Sequence, residues 1–590
     1  MIKNWQVAPD WPGREALARR LRVSPIVAQL LHQRNLDDPE TARKFLQPSL
    51  NDLVDPAGVP GAMAAVERIS QAVSNHERIV IYGDYDVDGL TGTAILWHCL
   101  RLAGAEVDFY VPHRLEEGYG LNSQAIDSLV KEGAKLIITV DCGISAVEPA
   151  KVAAAAGVDL IITDHHRIDS DLPACNSIVH PALPGSRYPC QDLSGAGVAF
   201  KLAWLLAQRF TPATASQSKA PSTNGPGIRV SDSFREFLVS ATALVGLGTV
   251  ADVVPLTGEN RILAAYGLKG LANSSHPGLQ ALLESAGLTS AKLDAYDIGF
   301  KLAPRLNAAG RMGHARLALE LLTRASPARA AKIAAYLEQQ NRLRRKVEKD
   351  IVDQAVQQVA ERGLDKPDTM AIVLAKEGWH AGVIGIVASR IVDKYHRPTV
   401  VIAIEDGTGQ GSARSIPGFN IFEAFHACGS WLDTYGGHAM AAGLRISADN
   451  IEPFTQAFSE YAHKQLKPAD LQRPLHIDAA ASLDMITEEL LLDLNRLAPF
   501  GQGNPRPILA TEGCTVVDEP RCVGKTGQTL QFVVARDGTT RKCVAFRQAN
   551  LFKKLSTCKT VSLAYRIILN DFNGYRTAEL QIEDMRFNQT

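Results

Sequence analysis

At 590 residues the chain is too long for one core, because single cores stop growing near about 250–300 residues, so several domains are expected. With 46% hydrophobic and 21% charged residues the composition is that of a globular protein, and a formal net charge of −1 gives no global attraction toward a polyanion. The first residues, MIKNWQVAPDWPGREALARRL, lack the apolar centre of a signal peptide, and no apolar run of about 18 residues follows; nine cysteines without a CxxC pair argue for reduced thiols in the cytoplasm and against thiolate-bound zinc.

Residues 1–50 read as a small helical extension ending at Pro48. From about residue 60 to 275, strand and helix patterns alternate as βαβ units require. Three short apolar runs stand out there: Ile79–Tyr82, Leu136–Val140 and Leu160–Thr163. Each is continuous rather than alternating, the pattern of a parallel strand buried on both faces. Within the same region Thr211–Asn224 is rich in Thr, Ser, Ala and Pro without an apolar period, which predicts a surface insertion or disordered loop. Thr323–Glu361, rich in Ala, Arg and Gln at helical spacing and broken only at Pro327, predicts a long helix connecting two lobes. Between Lys301 and Asp350, 12 Lys/Arg stand against four Asp/Glu, a candidate track for a phosphate backbone; a solvated helix face is the alternative for Asn341–Lys349. A second α/β unit spans about 365–465, opening with the strand Met370–Leu374 and carrying three Gly-rich stretches. Residues 508–590 alternate in short β-type runs with hairpin turns at Asp537-Gly538 and Asn573-Gly574, which suggests a small antiparallel barrel of the oligonucleotide-binding type.

Each of the three apolar runs leads straight into acidic residues: Asp84-Tyr85-Asp86-Val87-Asp88-Gly89, Asp141-Cys142-Gly143 and Asp164-His165-His166. In open parallel sheets ligands bind outside the carboxyl ends of the strands, so these groups are expected to converge at one edge. Converging carboxylates repel unless a cation holds them. The D-x-D-x-D-G spacing also opens an EF-hand loop, but the place of its bidentate Glu holds Ile95 and the preceding segment is strand-like. An acidic helix start that complements the dipole would need one Asp rather than three at alternate positions. Asp141 alone could cap the following helix together with Gly143 and Ser145. Asp252, after the apolar run within Gly248–Pro255, can complete the set. Carboxylates with one or two imidazoles and no thiolate suit Mn²⁺ first and Mg²⁺ next. At least six candidate ligands favour two divalent ions about 3.5–4 Å apart, an arrangement suited to phosphoester hydrolysis.

YGDYDVDG, VDCG, TDHH and TVADVVPL, in this order, resemble the four motifs of the DHH phosphoesterase superfamily. The match continues through NAAGRMGHA (Asn307–Ala315), GWHAGVIGIVASR (Gly378–Arg390), GSARS (Gly411–Ser415), GGHAMAAG (Gly436–Gly443) and LAPFGQGNPRP (Leu497–Pro507). The full arrangement is similar to the bacterial single-strand-specific 5′ exonucleases of this superfamily. The resemblance implies an α/β fold class: a parallel-sheet DHH domain and a second α/β domain of the DHHA1 type joined by a long helix, plus a C-terminal β-barrel (OB-fold). The corresponding division is an N-terminal extension (1–50), a catalytic domain (51–322), a connecting helix (323–362), a substrate-binding domain (363–470) and a nucleic-acid-binding barrel (471–590). It implies a metal-dependent exonuclease that degrades single-stranded DNA from the 5′ end to mononucleotides in DNA repair and recombination, in the cytoplasm, beside single-strand binding protein and a RecQ-type helicase. The alternative is a phosphodiesterase for short oligonucleotides or cyclic dinucleotides, against which the length and the barrel both count. A nuclease-dead scaffold would have lost ligand positions that are intact here.

By the same resemblance, Asp84, Asp86, Asp88, Asp141, His165 and Asp252 hold the two metals, with Asp141 as the bridge. His166 touches the scissile phosphate and Asp164 supports its neighbours. Arg114, Ser412 and Arg414 match a pocket for the 5′ phosphate, and Arg305, Asn307, Arg311, His380, Gly436, Gly437 and His438 match substrate-contacting positions. Read as residues alone, Arg305 or Arg311 could be salt-bridge partners, and Gly436-Gly437-His438 a turn whose glycines serve close packing.

Overall fold

In the computed structural model the described residues are 3–113, 117–118, 120–168, 171–211, 230–289, 292–311, 314–572 and 575–588. Residues 212–224 of the expected insertion, and the expected turn at Asn573-Gly574, lie outside them.

The three apolar runs become the strands Ile79–Gly83, Leu136–Val140 and Asp159–Thr163, all three almost wholly buried. With Val107–Tyr110 and Ser177–Val179 they form a parallel five-stranded sheet. Val107–Tyr110 lies on one side of Ile79–Gly83 and Leu136–Val140 on the other, so the order of travel reverses between them. That reversal opens a crevice at the carboxyl ends of Ile79–Gly83 and Leu136–Val140, the position where doubly wound sheets bind ligands. Helices Ala62–Ser74, Val87–Leu102 and Gly195–Arg209 bury their apolar residues on one side of the sheet, and Ser123–Lys131 and Val147–Ala155 on the other.

Alternation stops earlier than expected. Among the described residues no strand occurs between Val179 and Ile372, and the apolar run before Asp252 belongs to the helix Asp232–Ala251. At 20 residues the segment is far longer than a buried strand, and that length favours a helix. By length and composition this helix could cross a membrane, but 61% of its most apolar stretch is buried against the core of the first lobe. It crosses the helix Gly258–Ala272 with backbones nearly touching: a Cβ on Gly246 would sit 2.5 Å from the Cα of Gly267.

The connecting helix is Pro327–Glu361, 35 residues or about 50 Å. It starts later than expected because Ser326 caps it and Pro327 takes the first turn, where a missing N–H costs nothing; Thr323 ends a separate helix, Ala315–Thr323. Its first half places Ala330, Ile333 and Leu337 in the core of the first lobe, and its second half places Ile351, Ala355 and Val359 in that of the second. Between them Glu348 bridges Arg344 of the same helix (2.9 Å) and Arg390 of the helix Ile384–Tyr395 (3.1 Å). The second lobe is a five-stranded sheet in the order Thr434–His438, Ala441–Ser447, Thr408–Arg414, Thr399–Glu405, Ile372–Glu377; the last two are parallel and the other neighbours antiparallel.

The C-terminal strands are longer than the short runs expected, reaching Thr560–Phe572 and Tyr575–Asn588. Leu509–Val516 pairs with Thr560–Phe572, which pairs with Tyr575–Asn588, then Thr539–Ala545, then Thr529–Arg536, which returns to Leu509–Val516 and closes a five-stranded barrel. Asp537 (φ 48°) and Gly538 (φ 79°) make the expected two-residue hairpin turn. The N-terminal segment is more than a helical extension. Its first strand, Asn4–Val7, pairs in parallel with Pro474–Ile477, and Leu17, Leu30, Leu31 and Leu46 share one core with the barrel.

A buried guanidinium helps join this unit to the first lobe. Arg261, on Gly258–Ala272, donates hydrogen bonds to the carbonyls of Phe45, Arg496, Leu497, Ala498 and Pro499 and lies 3.7 Å over the Phe45 ring. Burial, helped by nearby Arg34, pulls its pKa down to about 9. Buried Asn504 ties the same turn by donating to the carbonyls of Leu497 (2.8 Å) and Pro499 (2.9 Å). Arg261→Met keeps the volume but leaves several buried carbonyls unpaired. It is expected to lower stability by about 2–4 kcal/mol, read as an earlier urea midpoint; an unchanged midpoint would mean that those carbonyls find other partners.

Candidate metal centre

The sheet itself brings the aspartates together. The amide of Asp84 donates to the Val140 carbonyl (3.2 Å), that of Asp141 to Thr163 (3.0 Å) and that of Asp164 to Val179 (3.2 Å). The hydrogen-bond ladder therefore runs one residue past each strand and sets the three carboxylates at one level, a strand spacing of roughly 4.8 Å apart. Asp141 turns there with φ at 63°, a left-handed conformation that Asp tolerates better than most residues and that holds local strain.

The donor atoms gather in three overlapping groups, each within 4.8 Å: Asp84, Asp86 and Asp141; Asp88, His165 and Asp252; Asp141, His165 and His166. His165 Nε2 stands 3.0 Å from Asp141 Oδ1 and 3.6 Å from Asp252 Oδ2 without making a hydrogen bond to either. Burial and the neighbouring His166 hold the His165 imidazole down to about 3, so it is neutral and available as a ligand. Asp141, Asp88 and Asp252 are all pushed up, first by burial and then by the surrounding carboxylates. A buried donor set of oxygens and neutral imidazole, destabilised by its own charge, fits hard divalent cations of the Mn²⁺ or Mg²⁺ kind.

Each carboxylate is also oriented. Asp86 caps the helix Val87–Leu102, its Oδ1 accepting from the amides of Asp88 (2.9 Å) and Gly89 (3.2 Å), so the helix-start reading and the ligand reading apply to the same residue. Asp88 accepts from Gly195 (2.5 Å) and Ala196 (3.0 Å), the first amides of the helix Gly195–Arg209. Asp141 does not cap the helix that follows it; Asp164 instead accepts from Ile144 in that loop (2.9 Å) and from the amides of His165 (2.7 Å) and His166 (3.1 Å). Burial alone would raise Asp164, but its hydrogen bond to His166 Nδ1 (2.7 Å) and the imidazole charge bring it down to about 2. Burial likewise opposes a charge on His166, and Asp164 outweighs it, lifting His166 to about 9.

Sequence reading picked out Gly89 as relaxing the strand-to-helix turn but passed over Gly195 and Gly248, which this geometry also requires. A Cβ on Gly195 would lie 2.7 Å from Asp141 Oδ1, one on Gly248 2.6 Å from Asp88 Oδ1, and one on Gly89 2.7 Å from the Asp84 carbonyl. Only glycine lets three helices approach a carboxylate cluster this closely. The Ser-Gly-Ala-Gly start of Ser194–Gly197 was the available signal. His180 was also missed: its Nδ1 accepts from Ala182 (3.0 Å), so its Nε2 carries the proton and donates to the His166 carbonyl (2.8 Å).

The remaining predicted residues divide. Asn307 accepts from the Val87 amide (3.2 Å), and Gly310 abuts the Tyr85 carbonyl, so the helix Ala303–Arg311 rests on the aspartate loop. Arg311 donates to the Gly382 carbonyl (3.1 Å), and the Gly382 amide donates to His380 Nδ1 (3.0 Å), so these two motifs meet between the lobes. Ser412 and Arg414 lie on one face of Thr408–Arg414, against Gly385 in the first turn of Ile384–Tyr395; His438 shares their row across Ala441. Gly437, at φ 138°, is required by packing, since a Cβ would meet the Ala441 carbonyl at 2.5 Å, whereas Gly436 faces open space. Arg305 is buried and pairs with Glu338 of the connecting helix at 2.8 Å, the contact that its salt-bridge reading expects. Arg114 lies outside the described residues.

Comparison with known proteins gives three family models: the DHH family, N-terminal domain (residues 78–222), the DHHA1 domain (343–464) and the RecJ OB domain (477–584). The single-stranded-DNA-specific exonuclease RecJ of Bacillus subtilis is 38% identical over 98% of this chain and 70% of its own length. That of Escherichia coli K12 is 34% identical over 92% of each chain. The crystal structure of Thermus thermophilus RecJ in complex with Mn²⁺ matches 100% of this chain and 80% of its own, with a TM-score of 0.82 at 30% identity; its Mg²⁺ complex gives 0.77 at 29%.

Gly195→Ala tests the close approach. The added methyl must displace Asp141 or draw the helix start away from Asp88. Calorimetric Mn²⁺ affinity is expected to fall about 10- to 100-fold, the usual cost of losing an orienting partner, with the thermal midpoint little changed. Full affinity in this variant would show that the helix start does not order the carboxylates.

Proposed function

The chain belongs to the RecJ family of single-stranded-DNA-specific exonucleases, and on that premise we propose that it hydrolyses single-stranded DNA stepwise from the 5′ end, releasing mononucleotides in DNA repair and recombination. The observation that carries this reading is the convergence of three strand-end motifs and Asp252 on one crevice, with a second lobe and a closed barrel in the same chain. A phosphodiesterase for dinucleotides has no use for the barrel, which favours the longer substrate.

We assign Asp84, Asp86 and Asp141 to one divalent ion and Asp88, His165 and Asp252 to another, with Asp141 shared, because these are the groups whose donor atoms meet. Mn²⁺ or Mg²⁺ held there supplies a water activated for attack and neutralises charge at the phosphorus. The protein's own contribution is order and charge. Helix starts fix Asp86 and Asp88, and Asp164 holds His166 cationic so that it presents positive charge to the scissile phosphate. Arg311 and His380 bring phosphate-binding groups to the junction of the lobes, and Asn307 orders the aspartate loop beneath them.

Polarity requires recognition of an end. Ser412, Arg414 and the first turn of Ile384–Tyr395 form a site whose hydroxyl, guanidinium and helix dipole all favour a phosphate, with His438 and Arg114 as further contributors. The cytoplasm is the compartment we infer, consistent with nine free cysteines. Single-strand binding protein and a RecQ-type helicase are the partners that would supply its substrate.

Two measurements test the assignment. Asp141→Ala removes the shared ligand, and hydrolysis of a labelled single strand with Mn²⁺ is expected to fall by several orders of magnitude while the fold persists; near-normal turnover would remove the two-ion arrangement. Arg414→Lys keeps the charge but not the bidentate fork. It is expected to lower kcat/KM sharply on 5′-phosphorylated strands and much less on 5′-hydroxyl strands. A ratio equal to that of the wild type would place end recognition elsewhere.

A further inference from the structure

Tyr296 and Phe300 stack on each other in the open, with ring centroids 4.5 Å apart, planes 23° from parallel, and each residue 59% exposed. Tyr296 lies just before a π-helical turn, Ile298–Leu302, and Phe300 lies within it; Ile298 and Leu302 are fully buried and anchor the turn to the first lobe. A π turn inside a helical run is costly and is found mainly at functional positions. Two large rings left side by side in water also forgo burial that the neighbouring core would provide.

Basic side chains lie close by, some of them paired with acidic neighbours. Lys301, next to Phe300 in sequence, places its Nζ 2.7 Å from the Asp297 carboxylate, and Arg342 Nε lies 2.6 Å from Glu338. One turn on, Arg305 donates to the Lys301 carbonyl, and Arg342 and Arg345 of the connecting helix are close enough to oppose its charge. Arg342 and Arg345 point outward, whereas Asn341, Arg344 and Glu348 of the same basic run are buried, so the outer half of that run is a charged surface beside the rings.

The position is equally specific. The helix that follows the π turn, Ala303–Arg311, is the one whose Asn307 and Gly310 rest on the aspartate loop. On the other side Asp294 pairs with Arg506 (3.6 Å), which lies 5.5 Å from the Phe500 ring at the entry to the barrel. Gly503 of the same segment abuts Pro255, just after Asp252. The rings thus belong to a segment that is continuous on one side with the helix resting on the aspartate loop and on the other with the Asp294–Arg506 pair at the entry to the barrel.

We propose that Tyr296 and Phe300 are a stacking platform for unpaired bases of the DNA strand, with Lys301, Arg342 and Arg345 receiving its backbone. The proposal rests on the exonuclease reading above and adds a subsite to it. Flat, sequence-independent π faces flanked by cations are what an unstacked strand recognises, and a duplex, whose bases are already stacked, gains nothing from them. The platform would therefore favour single strands before they reach the catalytic groups.

The test is an abasic scan. Single-stranded oligodeoxynucleotides carrying a two-nucleotide abasic gap, moved one nucleotide at a time from the 5′ end, are bound to the full-length protein with Ca²⁺ in place of Mn²⁺. One register of the gap is expected to weaken binding by the wild type roughly 5- to 150-fold. In Tyr296→Leu/Phe300→Leu, which keeps apolar bulk without a π face, intact strands should bind more weakly by a similar factor and the gap at that register should cost nothing further. The same gap penalty in both proteins would overturn the platform. So would a change of oligomeric state in the variant with an unchanged penalty, which would assign the rings to contact between copies of the chain. Failure of the wild type to bind any intact single strand would instead sink the exonuclease reading, and this proposal with it.

Discussion

The structure depends on keeping five carboxylates and two imidazoles within a few ångströms of one another. Left to themselves, buried like charges drive one another apart or take up protons, and the upward shifts of Asp88, Asp141 and Asp252 measure that pressure. The fold opposes it with fixed partial charges. The first amides of Val87–Leu102 and Gly195–Arg209 point at Asp86 and Asp88, and the ladder past each strand end holds Asp84, Asp141 and Asp164 at one level. These orienting hydrogen bonds all come from the protein's own backbone amides.

Glycine makes the approach possible. At Gly195 and Gly248 the backbone occupies space that any side chain would contest with Asp141 or Asp88, and at Gly246 and Gly267 two helices meet almost backbone to backbone. These contacts fix the end of Asp232–Ala251, hence the place of Asp252, although that residue follows a helix and the other acidic motifs follow strands. Arg261 extends the same chain of constraint: one turn after the Asp252 loop, its cage of carbonyls ties the loop to the segment entering the barrel. The metal-ligand crevice and the barrel are thus joined through residues far apart in sequence.

The acidic motifs were legible in the sequence because their physics is local. A continuous β-branched run followed by Asp predicts a buried strand with a carboxylate at its end, and three such strands in one parallel sheet can place those ends only along one edge. The hairpin at Asp537-Gly538, the long connecting helix (though not its start at Pro327) and the metal preference of an oxygen-rich donor set were legible for the same reason. Arg305 kept two readings, because an Arg in a basic stretch looks identical whether it meets a phosphate or Glu338, and the contact with Glu338 is made by the packing of two helices. Gly436 and Gly437 are likewise equivalent as letters, yet one faces open space and the other is pressed against the Ala441 carbonyl.

What the sequence alone determined is therefore the set of elements and the chemistry at their ends: parallel strands, their acidic termini, a long helix between lobes and a barrel at the carboxyl end. Tertiary structure decided everything that depends on distance between remote segments. It put helix starts rather than side chains opposite Asp86 and Asp88, merged the N-terminal helices with the barrel core, turned Arg305 inward, and left Tyr296 and Phe300 outside. The reason is that propensity and periodicity act over a few residues, whereas desolvation, close packing and the field of neighbouring charges are set only when chain segments hundreds of residues apart come into contact.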